Sequence, residues 1–277
     1  MCLPADGALT AVSPVPDARG MTGVDFDSPH SARIWNYWLG GTDNFPVDRA
    51  VGDEILELLP DVATLARASR GFLERAVTFL ASAGVRQFLD IGTGLPTANN
   101  THQVAQAVAP SSRVVYVDND PLVLVHARTL LTGTVEGATA YVEADLRDPA
   151  RILTEATHTL DFSQPVAVTL MGILHHVTDT SEAHSILATL LAAVPPGSYL
   201  ALSHATNVIH GAASDEVVRQ WNEVGGEPLV LRSPGEIEAF CTGLDILPPG
   251  VVSVSRWRPT GETPPEVDEF GVVARKH

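Results

Sequence analysis

The sequence predicts an α/β fold, a mostly parallel sheet with helices on both faces. Three observations carry this. From about Phe88 onward, short apolar runs rich in β-branched residues alternate with stretches of helical period. One junction, Gln87-Phe-Leu-Asp-Ile-Gly-Thr-Gly-Leu-Pro96, reads as a buried strand, a tight turn and the approach to a helix N-terminus. That arrangement holds nucleotide-like ligands. Finally, the last two strand candidates are joined by a Pro-rich loop, Pro259–Asp268, with no helix-length connection. An antiparallel pair is therefore expected at the end of the chain.

Each element follows in order. Residues 1–24 carry Pro4, Pro14, Pro16 and scattered glycine, without a basic start or a continuous apolar block. They read as a flexible tail rather than a signal peptide. Residues 25–84 read as a helical lid or flank. Ser28-Pro29 is a cap followed by a proline at the first helical position, and Gly40-Gly41 stops that helix. Pro46 opens a second helix with Val47, Val51, Ile55 and Leu58 on one face. A third runs from Asp61 to Ala83 and ends at Gly84. None has a sheet partner of its own, so all three are expected to pack on the α/β core. Within 85–277 the predicted strands are Phe88–Ile91, Arg113–Asp118, Ala138–Glu143, Val166–Met171, Tyr199–Ser203, Val251–Trp257 and Gly271–Lys276. The predicted helices are Ala98–Val108, Pro121–Leu131, Pro149–Ala156, Ser181–Ala193, Asp215–Val224 and Pro234–Thr242.

Composition narrows the partners. The formal net charge is −16, and lysine occurs only at Lys276. No basic cluster offsets that charge, so nucleic acid is disfavoured as a substrate. No apolar run approaches the length that crosses a bilayer. Two cysteines far apart in sequence, Cys2 and Cys241, fit a reducing, cytoplasmic setting.

The chemistry lies at three successive strand ends. Asp90 precedes Gly92 and Gly94 in the first. Asp118 closes Val-Val-Tyr-Val-Asp118-Asn-Asp120, where a carboxylate can accept both hydrogen bonds of a ribose diol. Asp120 is its rival, but Asp118 directly follows the apolar run. Asp145 follows the third strand in Tyr141-Val-Glu-Ala-Asp145-Leu-Arg147 and can accept from an exocyclic adenine amine, or else cap the next segment.

Together with the Pro195-Pro-Gly197 turn before a strand, these motifs resemble the class I S-adenosylmethionine-dependent methyltransferases. The resemblance covers roughly Phe88 to Lys276. More narrowly, Arg33-Ile-Trp-Asn-Tyr37-Trp-Leu-Gly-Gly41-Thr-Asp-Asn44-Phe, with the glycine loop, is similar to an actinobacterial branch of methyltransferases of unassigned substrate. The resemblance implies a Rossmann-like seven-stranded methyltransferase sheet, mostly parallel with one antiparallel strand, and an N-terminal helical extension. It implies S-adenosyl-L-methionine as cofactor. Asp90 and the Gly92-Thr93-Gly94 backbone would meet the methionine end, Asp118 with Asn119 the ribose, and Asp145 with Leu146 the adenine. One departure is that the usual third glycine of the loop is missing, since Pro96 follows Leu95.

Methyl transfer needs alignment, plus a base if the acceptor is protonated. Base candidates are His175 or His176, after Met171-Gly-Ile-Leu, and His204, after Leu200-Ala-Leu-Ser. Adjacent side chains diverge, so at most one of His175 and His176 is expected to point into the cleft. Tyr37 joins His176 and His204 as a catalytic candidate. Its segment, with the loop Gly40-Gly-Thr-Asp-Asn44, is expected to close over the cofactor and build the acceptor pocket. Trp35 and Trp38 are expected in the core, and Arg70 could reach the cofactor carboxylate. No histidine pair shows a metal-ligand spacing backed by Cys or carboxylates, so no metal is expected. The partner expected is a small-molecule acceptor, faintly flat or apolar, with a homodimer left open. Alternatives are an NAD(P)-dependent oxidoreductase, which also wants glycines followed by an acid, and a non-catalytic S-adenosylmethionine-binding protein.

Overall fold

Strands β1 (Gln87–Ile91), β2 (Arg113–Asp118), β3 (Ala138–Glu143), β4 (Ala167–Met171) and β5 (Tyr199–Ala205) pair in parallel in a computed structural model of the protein. The residues described are 25–123, 126, 133–223, 227–262 and 264–277. The tail expected over 1–24 lies outside them, as does most of the helix expected over Pro121–Leu131. The sheet order is β3-β2-β1-β4-β5-β8-β6, with β6 at Asp245–Ile246 and β8 at Glu269–Arg275. The chain steps outward from β1 to β3, then returns to β4 on the other side of β1. This reversal opens a crevice at the carboxyl ends of β1 and β4, where an open α/β sheet binds ligands.

The closing strand β8 runs antiparallel to β5, with His204 opposite Phe270, and it also pairs antiparallel with the strand before it, Val252 opposite Gly271, as the Pro-rich connection suggested. The strand expected over Val251–Trp257 shrinks to Val252–Ser253 (β7) before a 3₁₀ turn at Val254–Arg256. The apolar pattern there has another cause. Trp257 is fully buried edge-on against Phe72 and Phe79, at ring centroid distances of 5.5 and 6.0 Å. Arg75 holds the turn by donating to the carbonyls of Val254 and Trp257.

Three N-terminal helices flank and roof this sheet. Helix α3 (Val62–Ser82) lies across one face, burying Phe72, Ala76, Val77 and Leu80 against Phe88, Val114 and Val273. Each of its large apolar side chains contributes about 1.5–3 kcal/mol by leaving water. Helix α4 (Thr101–Val108) covers the same face, while α5 (Pro149–Ala156), α6 (Thr180–Ala193) and α8 (Pro234–Ala239) cover the other. Helix α1 (Ser31–Trp38) sits over the strand ends, and α2 (Pro46–Leu58) packs against it and α7 (Ala212–Glu223). The cap of α1 is His30 rather than Ser28. Asp25 takes the amides of Asp27 and Ser28, so the chain is still turning there and the helix starts at Ser31. Asp48, fully buried, then ties α1 to α2 by accepting from the amides of His30 and Phe45 and pairing with Arg33 at 3.2 Å. No helix among the described residues is long and apolar enough to cross a membrane. Among the same residues no group of three or more His, Cys, Asp or Glu side chains is placed to hold a metal ion.

Candidate active site

At the end of β1 the chain rises through Gly92 (φ +74°) and Gly94 (φ +65°), backbone that L side chains adopt at a cost. The amides of Gly92 and Thr93 go to Val117 O, and that of Gly94 goes to Asp118 Oδ2 at 2.8 Å. A Cβ on Gly92 would stand 2.4 Å from Ile173, so space as well as φ demands glycine. Gly92→Ala is expected to lower unfolding free energy by about 2 kcal/mol or more in urea titration. Ile173→Ala added to it should recover the steric part alone. Full recovery would show that the backbone carries no strain.

The loop is longer than the sequence suggested. The helix expected from Ala98 begins at Thr101, and Leu95 anchors the turn by packing with Leu122, Val123, Ala32 and Phe45. Asn100 and Gln103 form a reciprocal cap, so amides at the start of α4 are already engaged. The ligand-facing groups are therefore the loop itself and the acids beside it.

Asp90 is buried and accepts from Thr101 Oγ1 at 2.6 Å and Thr169 Oγ1 at 2.7 Å. Burial raises its pKa; the two hydroxyls and the Arg70 charge pull the other way. Arg70 donates to the carbonyls of Ala98 and Asn99, while its buried Nε has no partner among the described residues. Burial also raises the Asp118 carboxyl, against the amides of Asp120 and Gly94 that it accepts. Asp145 takes the amide of Arg147 at 2.8 Å, and the cap of α5 is Asp148 instead.

These groups line two adjoining cavities that share Gly92, Asp118 and Asn119. A cavity of ≈ 880 Å³, counted to its open mouth, has Asp90, Gly92, Thr93, Gly94, Asp118 and Asn119 along one wall. A narrower slot of ≈ 350 Å³ continues past Gly92, Asp118 and Asn119 to Asp145 and Leu146. Every residue proposed from sequence for the cofactor thus borders at least one of them. Sequence reasoning missed the opposite wall: Met171, Gly172 and Ile173 at the end of β4, Ser69 on α3, Glu227, and Trp35 on α1. Only Trp35 carried a signal, and its helical spacing pointed to core. A second, more apolar cavity of ≈ 710 Å³ adjoins the first and shares Ser31, Trp35 and His176 with it.

The catalytic candidates separate. His176 borders all three spaces, with Nδ1 3.2 Å from Pro228 O, and burial lowers its pKa. His204 borders none of them. Strand alternation turns Ser203 toward Glu269 and His204 to the other side, where its Nε2 meets Arg232 at 2.8 Å. Burial pushes His204 down to about 4. Tyr37 is also outside. It lies about 200° around α1 from Trp35, donates to Asp53 and packs over Gly52 at the α1–α2 seam. The Gly40–Asn44 loop does not cover the cavity either: it folds back on Asn36, whose Oδ1 accepts from Asp43 N and Asn44 Nδ2. A Cβ at Gly41 would collide with that side chain at 2.3 Å. The roof is α1 itself, with His30, Ala32 and Leu39 beside Trp35.

Glu269 lies behind Gly172, fully enclosed. Its Oε1 accepts from Ser69 Oγ at 2.9 Å and from Ser203 Oγ, while Oε2 has no partner among the described residues. Burial pushes this carboxyl up to about 7.

The profile of a family described as S-adenosyl methyltransferase matches residues 17–277. A crystal structure of a DUF574-family protein from Streptomyces avermitilis MA-4680 is 46% identical, covers 91% of this chain and 99% of its own, and superposes with a TM-score of 0.88. A candidate methyltransferase from Thermobifida fusca YX is 38% identical over 92% of this chain and 97% of its own, with a TM-score of 0.84. Magnesium protoporphyrin IX methyltransferase from Synechocystis PCC 6803, solved with bound S-adenosylmethionine, shares the fold alone. Its identity is 15% over 88% of this chain and 90% of its own, at a TM-score of 0.51. The comparison with curated proteins gives no match.

Proposed function

This chain belongs to the S-adenosyl methyltransferase family and uses S-adenosylmethionine as cofactor, and from that premise we propose how its residues hold the cofactor and what they act on. The observation that carries the reading is the pair of adjoining cavities running from Asp90 and Arg70 past Asp118 to Asp145. Bound S-adenosylmethionine supplies an already activated methyl group. Asp90 would take its ammonium, and Arg70 Nε, buried at the same end with no partner among the described residues, suits its carboxylate. An ionised carboxylate has about four acceptor positions. Asp118 spends two on backbone amides, which leaves two for the ribose diol. Leu146 and Asp145 would border the adenine in the narrow slot. Residues 25–84 act as roof and flank, with α1 excluding water above the reacting centre.

The acceptor is a small molecule. Its site is the second cavity rather than the Gly40–Asn44 loop, and of the catalytic candidates only His176 stands where it could touch both ligands. The protein works in the cytoplasm of an actinobacterium, a reading supported by its relatives in Streptomyces and Thermobifida and by a sequence with only two, widely separated cysteines.

Titration calorimetry tests the cofactor assignment. S-adenosylhomocysteine is expected to bind with micromolar affinity and NAD not at all. NAD binding without S-adenosylhomocysteine binding would reverse the reading in favour of an oxidoreductase.

A further inference from the structure

The second cavity lies beyond the reach of the cofactor-holding groups, and its walls restrict what can fill it. Ile55, Leu59, Val62, Val217 and Leu231 supply aliphatic surface, and Trp35, Trp38 and Trp221 supply aromatic faces. Asp268 is the one carboxylate among its described lining residues, and that group is already saturated. Its oxygens accept from the amides of Ile209 and His210 at 2.7 and 2.9 Å, from Ser214 Oγ at 2.7 Å, from Thr206 Oγ1 at 3.3 Å, and from the His210 imidazole. An anionic occupant would therefore be desolvated beside a like charge, at a cost of several kcal/mol, and a cation would find no free acceptor position on Asp268.

One imidazole in the wall has no side-chain hydrogen bond among the described residues. His176 Nδ1 is engaged by Pro228 O, but His175 Nδ1 is buried with no partner among the described residues. His175 also stands at the partition between the two cavities. A Cβ built on Gly172, which borders the cofactor cavity, would lie 3.8 Å from His175 Cε1 and 3.9 Å from Trp35 Cζ2. Burial and the neighbouring His176, His204 and Arg232 keep this imidazole neutral, and a neutral imidazole carries one nitrogen that accepts a hydrogen bond.

We propose that the second cavity is the acceptor chamber and takes an uncharged, largely apolar ring compound bearing one hydroxyl, which donates its hydrogen bond to the imidazole of His175. The aromatic walls hold the ring, the Asp268 charge rejects anions while its filled acceptors offer a cation no hydrogen bond, and His175 draws the hydroxyl toward the cofactor side. The proposal rests on the methyltransferase reading of the first cavity.

2-Naphthol tests it, with 2-methoxynaphthalene, which cannot donate, as its partner probe. On the full chain saturated with S-adenosylhomocysteine, 2-naphthol is expected to bind one-to-one in calorimetry, about five- to ten-fold tighter than the methyl ether. His175→Phe should erase that preference, and His175→Gln, which keeps an acceptor, should retain part of it. Val217→Trp should fill the chamber and abolish binding of both probes while S-adenosylhomocysteine still binds. Absence of saturable 2-naphthol binding, equal affinity for the two probes, or binding that survives Val217→Trp would overturn the proposal. Failure of the cofactor reading shows separately, as loss of S-adenosylhomocysteine binding by the unaltered chain.

Discussion

Replacing Asp118 with alanine is expected to weaken S-adenosylhomocysteine binding by roughly two to four orders of magnitude, measured by calorimetry. The carboxylate would make two charge-assisted hydrogen bonds to the ribose, each worth about 1.5–3 kcal/mol. It also fixes the loop that faces the methionine end, through Gly94 N at 2.8 Å, and the turn after β2, through Asp120 N at 3.0 Å. Removing it therefore takes away ligand contacts and loosens the surface on which the ligand lies. Asp118→Asn is the sharper variant. Its carboxamide keeps one acceptor oxygen, so it should hold one backbone amide and lose most of the diol. Asp120→Ala provides the contrast. That side chain turns away from the cavity, capping Leu122 N and facing His30 at 3.3 Å, so its loss should cost binding less than ten-fold. If Asp118→Ala binds like the unaltered chain, or Asp120→Ala is the weaker binder, the ribose assignment is wrong.

The cofactor side of this site was legible in sequence because it is built locally. A strand, a glycine turn and an acid at a strand end lie within a few residues of one another, and strand order alone brings three such ends together. The roof and the catalytic side were less legible because they depend on which way a helix or strand presents its side chains. Trp35 and Tyr37 are two residues apart on one helix, yet one borders both cavities and the other meets Asp53 at the outer seam. His204 was placed correctly at a strand end, and alternation then turned it to the wrong face, against Arg232. The adjacent histidines were read as diverging, with at most one in the cleft. His176 borders both cavities, and His175 borders the second alone. The Val251–Trp257 strand failed for a tertiary reason, since its apolar residues answer to α3 rather than to the sheet. Glu269 carried no motif at all. It follows an unremarkable loop acid, and only antiparallel pairing with β5 sets it beside Ser203 and Ser69, from β5 and α3.

That buried glutamate gives the fold a pH dependence of its own. Its carboxyl ordinarily titrates at 4.5 and is pushed up to about 7 by burial, only partly offset by the hydroxyls of Ser203 and Ser69. Because the folded pKa is the higher one, the native state holds a proton that the unfolded chain has released. Stability from this group is fully present below pH 4.5 and is lost as pH rises through 7. The whole swing is about 3 kcal/mol, taken as the difference between the two titration points. Glu269→Gln has nearly the same shape, keeps an oxygen to accept from both serines, and never ionises. Its unfolding free energy should therefore match that of the unaltered chain near pH 4 and exceed it by about 3 kcal/mol near pH 8. Urea titrations of both proteins across this range measure the difference. Asp90 and Asp118 are also raised by burial and tilt both curves alike, so subtracting one curve from the other isolates Glu269. A difference that stays flat across the range would mean that Glu269 is ionised in the folded protein as readily as in water. The enclosure behind Gly172, with Oε2 unpartnered among the described residues, argues against that outcome.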